Sequence, residues 1–340
     1  IRPNDPGPLT HEAMAADIER SIKTSIIIPA HGHDGMTRHC VERVLETAPD
    51  RFDIEVIVVD DASPQPMDIG MSDSRVSVVR SAENLRFSRA CNLGVDLATG
   101  RYLLFLNNDT EPSAGWLEAM ERILDANATV AVVGARLLYR DGTVQHAGVA
   151  FSQRDGVPRH IYRGFRGDHD VVVRDRALQA VTAACVLFRR ETFLAAGGFD
   201  AGFNNGYEDI DLCMRIGSAG HGVWYCGSAV LNHFESVSRR DEVEGLRPED
   251  DANLALFMSR WGNAERDEVS IYADDGLITV ESGEIYPLRL CVDPELGVAA
   301  PRGGRDAIVE LLNTRAQQVF DLRKEVGSMM IRLLDHGIDP

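Results

Sequence analysis

The sequence predicts an α/β fold built on a mostly parallel central sheet flanked by helices. Three observations carry this. Short β-branched apolar runs alternate with segments of helical period from Thr24 to Gly134. Two of those runs end in Asp or Asn, at the tips where open α/β sheets bind ligands. The chain is also large enough, at 340 residues of which 44% are hydrophobic, for one big domain, alone or with an appendage.

The elements follow in order. "TSIIIPA", Thr24–Ala30, is a buried strand closed by Pro. "TRHCVERVLETA", Thr37–Ala48, has helical spacing, with Thr37 in the N-cap position. "IEVIVVDDAS", Ile54–Ser63, is a second buried strand that ends in acid, and "VSVVRS", Val76–Ser81, a third. Phe87–Ala98 is a helix stopped by Gly100. "RYLLFLNND" then drives a strand from Tyr102 into Asn107, Asn108 and Asp109. A helix at Ala114–Ala126 and a strand at Val130–Gly134 complete the alternation.

Beyond that point the pattern changes. "ARLLYRDGTVQHAGVAF" reads as a hairpin turning at Asp141-Gly142. "LQAVTAACVLFRR", Leu178–Arg190, reads as one long buried strand, followed by short strands at Val223–Tyr225 and Ala229–Asn232. "DDANLALFMSRWG", Asp250–Gly262, is a closing helix. From Arg266 the composition shifts to a mixed appendage: short strands in "EVSIYADDGLITVESGEIYPLRLCV", then a long amphipathic helix. In that helix Val319, Leu322, Val326, Met329 and Leu333 fall at a/d spacing, which fits packing on its own domain or a homodimer seam. The expected division is an N-terminal extension at 1–20, a main domain at 21–265 split near 134/135, and the appendage at 266–340.

Charge and cysteine usage exclude some classes. A net charge of −18 argues against a nucleic-acid partner, because phosphate backbones need a basic surface. It also means that a phosphorylated ligand would need a divalent cation as go-between. The six cysteines form no Cys-x-x-Cys pair, so they read as reduced core residues of a cytosolic protein. No apolar run of about 18 residues is present, and the opening "IRPNDPGPLTHEAMAADIER" is polar rather than a secretory signal. The first residue is Ile, as in a processed chain or a piece of a longer one.

Four clusters carry candidate chemistry, each with a structural alternative. Asp60-Asp61 can open a loop, or accept hydrogen bonds from a base or ribose. Asn107, Asn108 and Asp109 are turn formers, or they deliver one carboxylate to a cation whose shell a diphosphate completes. Glu208, Asp209 and Asp211 suit the N-terminal turn of a helix, or one of them is a general base. As chain neighbours, Glu208 and Asp209 point different ways, so one can enter a site while the other braces. His233 is a structural histidine or a second metal ligand at the same rim.

Taken together, these clusters resemble the family 2 glycosyltransferases of GT-A fold. The matching stretches are "SIIIPAHG", "IEVIVVDDAS", "ENLRFSRACNLGVDLATGRYLLFLNNDTEPSAGWLEAM", "VAVVGARLLYRDGTVQHAG", "AACVLFRRETFLAAGGFDAGFNNGYEDIDLCMRI" and "LNHFESVSR". They run in family order from about Ser21 to Gly262. Within the family the chain is most similar to the rhamnosyltransferase-like branch that builds O-antigen and other bacterial surface polysaccharides. The resemblance implies Pro29 and His31 in a nucleotide-touching loop and Asp61 at the base. Asn108 and Asp109 match the end of the family's Asp-x-Asp motif, whose first acid is replaced here by Asn107. It further implies Mn2+ or Mg2+ held by Asp109 and His233, and Asp209 as general base with Glu208 beside it. Arg86 stands where "Asn-x-Gly-Phe" is usual; its guanidinium can reach the base or the diphosphate, or stay solvated.

The implied reaction is inverting transfer from a UDP- or dTDP-linked sugar to a hydroxyl of a glycan or lipid-linked glycan. A lipid-linked acceptor would bring a cytoplasmic protein to the inner face of the membrane without spanning it. Two rivals remain on the sequence. A nucleotidyltransferase would carry a Gly-rich basic loop after the first strand, which "PAHGHDGMTR" does not supply. The other is a non-catalytic GT-A-like scaffold module of a larger assembly.

Overall fold

The computed structural model describes residues 23–48, 51, 53–234, 248–281 and 289–292. The predicted extension at 1–20, the "ESVSR" end of the last motif and the long amphipathic helix lie outside the described residues.

The elements in chain order are β1 (Thr24–Ala30), α1 (Asp34–Thr47), β2 (Ile54–Asp60), β3 (Val76–Arg80), α2 (Arg86–Leu97), β4 (Tyr102–Leu106) and β5 (Thr110–Pro112). Next come α3 (Trp116–Ala126), β6 (Val130–Leu138), β7 (Val144–His146), β8 (Val149–Phe151), β9 (Pro158–His160), β10 (Arg176–Leu178) and β11 (Cys185–Arg189). The chain continues through α4 (Arg190–Ala195), α5 (Glu208–Ser218), β12 (Gly222–His233), α6 (Pro248–Trp261), α7 (Glu268–Asp274), β13 (Ile278–Glu281) and β14 (Arg289–Val292).

Ten strands form the main sheet, in the order β10-β12-β6-β11-β4-β1-β2-β3, with β5 on β12 and β7 on β6. β1 lies parallel between β2 and β4, and β3 extends the parallel set. β11 is antiparallel to both β4 and β6, so β6 and its parallel neighbour β12 run the same way as β1. The carboxyl ends of β1, β2, β4, β6 and β12 therefore share one rim. The amino end of the reversed strand β11 arrives at that same rim.

Period-2 alternation divides the buried residues between the two faces of the sheet. Ile27, Ile57, Val59, Leu103 and Phe105 pack into one core, which also holds residues of α2, α4 and α5. Ile26, Ile28, Val56, Val58, Leu104 and Leu106 pack into the other, beneath α1 and α3. Each such fully buried side chain contributes about 1.5–3 kcal/mol of transfer free energy, so the two-sided burial is what holds these strands central. On the first face Phe105 meets Phe188, Phe193 and Phe199 with ring centroids 5.7, 5.1 and 4.8 Å away. α2 crosses the sheet at Gly94, where an added Cβ would stand 2.5 Å from Ile27 Cγ2.

Several elements differ from the sequence expectation. α1 begins at Asp34 rather than beyond Thr37, because Gly32 and His33 turn the chain with φ of 68° and 59°. Thr37 is then a buried helical residue, not a cap. The predicted strand Leu178–Arg190 is two strands: β10 pairs with β12 while β11 pairs with β4 and β6, and residues 179–184 cross between them. An apolar run shows burial but not which neighbour it pairs with. Conversely, Val223–Tyr225 and Ala229–Asn232 are one strand, β12, with an irregularity between Cys226 and Val230. The hairpin at Asp141-Gly142 forms as expected, with Gly142 at φ 79° and β7 returning against β6.

Pro29 lies within β1, in register with Val59, rather than in the loop after it. It is tolerated there because pairing with β4 ends at Ile27, so no ladder bond is asked of its nitrogen. "EVSIYAD" is a helix, α7, not a strand. Tyr272 in it packs edge-on to Tyr162 at 5.6 Å, and Leu277 and Ile278 enter the first core. Asp275 accepts a hydrogen bond from Tyr162 Oη and another from Arg176 Nη1 at 2.5 Å. Tertiary contacts of this kind outweigh local β propensity.

Candidate active site

The rim gathers the singled-out residues from the ends of β1, β2, β4 and β12 and from the starts of α2 and α5. β4 stops at Leu106, and Asn107 N donates to Ala184 O at 2.9 Å, tying that tip to the start of β11. The short strand β5 then pairs with the end of β12, setting Thr110 opposite His233. This register brings Asp109 against His233. Phe234 N donates to Asp109 O at 2.9 Å, and His233 Nε2 lies 3.1 Å from Asp109 Oδ1. Both side chains are largely buried, at 11% and 14% exposure. Gln145 Oε1 accepts from His233 Nδ1 at 2.6 Å, and Asn107 Nδ2 lies 3.4 Å from Nε2. Asn108 turns away and donates from Nδ2 to Thr37 Oγ1 at 3.0 Å.

Asp61 has a second, structural duty. Its Oδ1 accepts from Leu85 N at 2.6 Å and from Ser81 Oγ at 3.2 Å, and its Oδ2 accepts from Arg86 N at 2.8 Å. It thus satisfies amide groups that the first turn of α2 leaves without helical partners. Oδ2, with one donor, keeps a further lone pair for a ligand. His31 Nδ1 donates to Asp61 O at 2.7 Å, so the histidine is fastened to the same corner. Arg86 adopts φ 63°, which explains why glycine suits this position, and its Nη1 donates to Asn204 Oδ1. Asn204 N in turn donates to the buried Asn253 Oδ1 of α6 at 2.9 Å. The neighbouring Asp60 is structural. Burial pushes its carboxyl upward, but hydrogen bonds from Ser63 N, Met67 N and Arg80 prevail and hold it below the usual carboxylate range.

The three acids of α5 separate by function. Asp211, fully buried, takes Arg215 Nε at 2.8 Å, Arg260 Nη1 at 3.0 Å and Trp261 Nε1 at 2.9 Å, which docks α6. Glu208 is also buried, and its Oε2 accepts from Gly206 N at 2.5 Å, bracing the loop before the helix. Asp209 is half-buried and points to the rim, where its Oδ2 accepts from Ala183 N at 2.9 Å. Ala183 adjoins Ala184, whose carbonyl holds Asn107. A short backbone path therefore links the Asp209 perch to the Asp109 tip.

Pro29, inside β1, makes no side-chain polar contact, and its nearest link to the site is through Ala30 O, which accepts from Asp61 N at 2.8 Å. Sequence reasoning assigned the 142–170 region and Phe203–Tyr207 to the acceptor side; it missed the contacts of Gln145 and Asn204 within them and the 182–184 backbone. A polar side chain in "TVQHAG", between strands that are otherwise apolar, was the available signal for Gln145. Its neighbour His146 is wholly buried, and burial, with His160 and His233 close by, holds its imidazole well below the ordinary histidine range.

The Asp109–His233 pair has the chemistry of a divalent-cation site. A carboxylate oxygen and a ring nitrogen suit Mn2+ or Mg2+. Their 3.1 Å separation is near the spacing of about 3.0 Å between adjacent ligands of an octahedral shell with bonds of ~2.1 Å. Among the described residues no group of three or more His, Cys, Asp and Glu could hold a metal, so further ligands would come from substrate and water.

Comparison with known proteins agrees with this architecture. A sequence model of Glycosyl transferase family 2 matches residues 25–194. An uncharacterized protein, y4gI, of Sinorhizobium fredii is 35% identical over 250 residues, covering 70% of this chain and 27% of its own length. The O-antigen biosynthesis protein RfbC of Myxococcus xanthus is 31% identical over 249 residues, covering 70% of this chain and 19% of its own length. The chain thus spans under a third of either relative. A solved structure, GalNAc-T7 with UDP, GalNAc and Mn2+, shares the GT-A fold with a TM-score of 0.58 at 16% identity, covering 76% of this chain and 51% of that one. With the family's sequence model spanning β1 to α4 and the strand order built around it, the chain belongs to glycosyl transferase family 2.

Proposed function

We propose that this chain transfers a sugar, with inversion, from a UDP- or dTDP-linked donor to a hydroxyl of a glycan or lipid-linked glycan in surface-polysaccharide synthesis. The observation that carries this reading is the shared rim: Asp109 stands 3.1 Å from His233, and Asp209 hangs from Ala183, next to the Ala184 carbonyl that holds Asn107 N. Likeness to RfbC, named for O-antigen biosynthesis, supports the acceptor class.

In this reading Asp61, His31, Arg86 and Pro29 form the nucleotide corner, in the half at 21–134, and Asn108 orients the tip that carries Asp109. Asp109 and His233 would hold Mn2+ or Mg2+, which when bound offsets the charge that develops on the leaving diphosphate. Asp209 takes the proton from the acceptor hydroxyl as its oxygen bonds to C1 and the C1–phosphate oxygen bond breaks. A single displacement from the face opposite the leaving group inverts the anomeric centre. Glu208 holds the Asp209 loop rather than entering the reaction. No described helix is long and apolar enough to cross a membrane. In this reading a lipid-linked acceptor is met at the cytoplasmic face of the membrane.

Asp209→Asn tests the reading. It keeps the acceptor for Ala183 N but cannot accept a proton. Transfer should fall by at least about 100-fold, the lower end of general-base contributions, while nucleotide affinity stays within about twofold of the parent. Equal loss of both would make Asp209 a binding or structural residue instead. A chain that binds no nucleotide-sugar at all would point to the scaffold alternative.

A further inference from the structure

We propose that Gln145 is a positioning residue for the cation site, fixing which nitrogen of His233 carries the proton. The inference rests on the reading of Asp109 and His233 as metal ligands. A side-chain amide oxygen only accepts hydrogen bonds, so the 2.6 Å contact to Gln145 Oε1 places an imidazole proton on Nδ1 and turns Nε2 toward Asp109. A neutral imidazole has one N–H. Nε2 is then left with its lone pair facing Asp109 Oδ1 at 3.1 Å. Two acceptors so close repel unless a cation or a shared proton lies between them, and it is that place a metal would take. Without an acceptor at Nδ1 the proton would sit on Nε2, Asp109 would accept it, and the pair would be closed to a metal.

The placement of Gln145 suits this duty. It lies in β7, the return strand of the tight Asp141-Gly142 hairpin, and its side chain is 4% exposed. Burial excludes the water that would otherwise compete for the Nδ1 proton. Metal-bound histidines are generally oriented this way by a partner on the other ring nitrogen, and loss of that partner costs about 10–100-fold in affinity.

The test uses the full chain and three variants. Nitrogen-15 NMR of the metal-free parent should show a proton on His233 Nδ1; a ring protonated at Nε2 alone overturns the proposal without any mutation. Mn2+ titration followed by EPR, in enough salt to suppress diffuse binding to the anionic surface, should show Gln145→Met weakening Mn2+ binding about 10–100-fold. The same variant should shift the His233 proton to Nε2, whereas Gln145→Glu, which keeps an acceptor, should retain both properties. If Gln145→Glu fails as Gln145→Met does, or Gln145→Met binds like the parent while His233→Ala does not, Gln145 has no such role and the metal reading stands. If His233→Ala also binds like the parent, the metal reading falls with it.

Discussion

Single side chains at this rim serve structure and site together. Arg86 shows how the two trade. Its left-handed φ of 63° costs a non-glycine residue about 1 kcal/mol, while its guanidinium fastens the α2 corner to Asn204. Both Arg86→Ala and Arg86→Gly remove that fastening, but only glycine relieves the backbone. In urea denaturation the Gly variant should therefore be about 1 kcal/mol more stable than the Ala variant. Equal midpoints would mean that the backbone there carries no strain. The sequence already marked Arg86 as a departure from glycine, and it marked Asp61, Asp109 and His233 by their places after apolar runs and Asp209 by its place in the first turn of a predicted helix. It gave no sign that Asp61 would hold Leu85 N and Arg86 N, because that contact joins residues 24 and 25 positions apart.

At the scale of elements, close approach decides outcomes that propensity would get wrong. Replacing glycine by alanine inside a helix ordinarily gains about 1 kcal/mol. At Gly94 of α2 the new Cβ would lie 2.5 Å from Ile27 Cγ2 and 3.2 Å from Val59 Cγ2, both residues fully buried. Overpacking of that kind costs about 1–3 kcal/mol, so Gly94→Ala should lower stability by about 1 kcal/mol net, read as a drop in the denaturation midpoint. A stabilised variant would show that α2 can lift off the sheet. Elements buried on both faces, such as β1, β2 and β4, were legible because their periodicity and composition reflect burial alone. The break between β10 and β11 was not, since pairing partners come from distant chain. α7 was not either, since Tyr162 and the first core decide its conformation.

For the whole molecule, the relevant quantity is the linkage between ligand binding and stability. The protein has a net charge of −18, so a nucleotide diphosphate is repelled unless a cation accompanies it. In a thermal-shift screen with Mn2+, the cognate nucleotide-sugar at about 100 times its Kd should add about 2.7 kcal/mol of apparent stability. EDTA should abolish that shift, and a shift undiminished in EDTA would remove the cation from the reading. The screen also identifies the base and sugar, which no residue discussed above specifies. By itself the sequence determined that strands and helices alternate and that acids cap the strands, because burial and turn chemistry are local properties of the chain. Only the tertiary structure decided that β11 runs backwards and brings Ala183 to the carboxyl rim, that β5 sets Asp109 against His233, and that Gln145 stands behind that histidine. Those are contacts between residues 26, 124 and 88 positions apart, and no local pattern encodes which of many compatible partners the folded chain will choose.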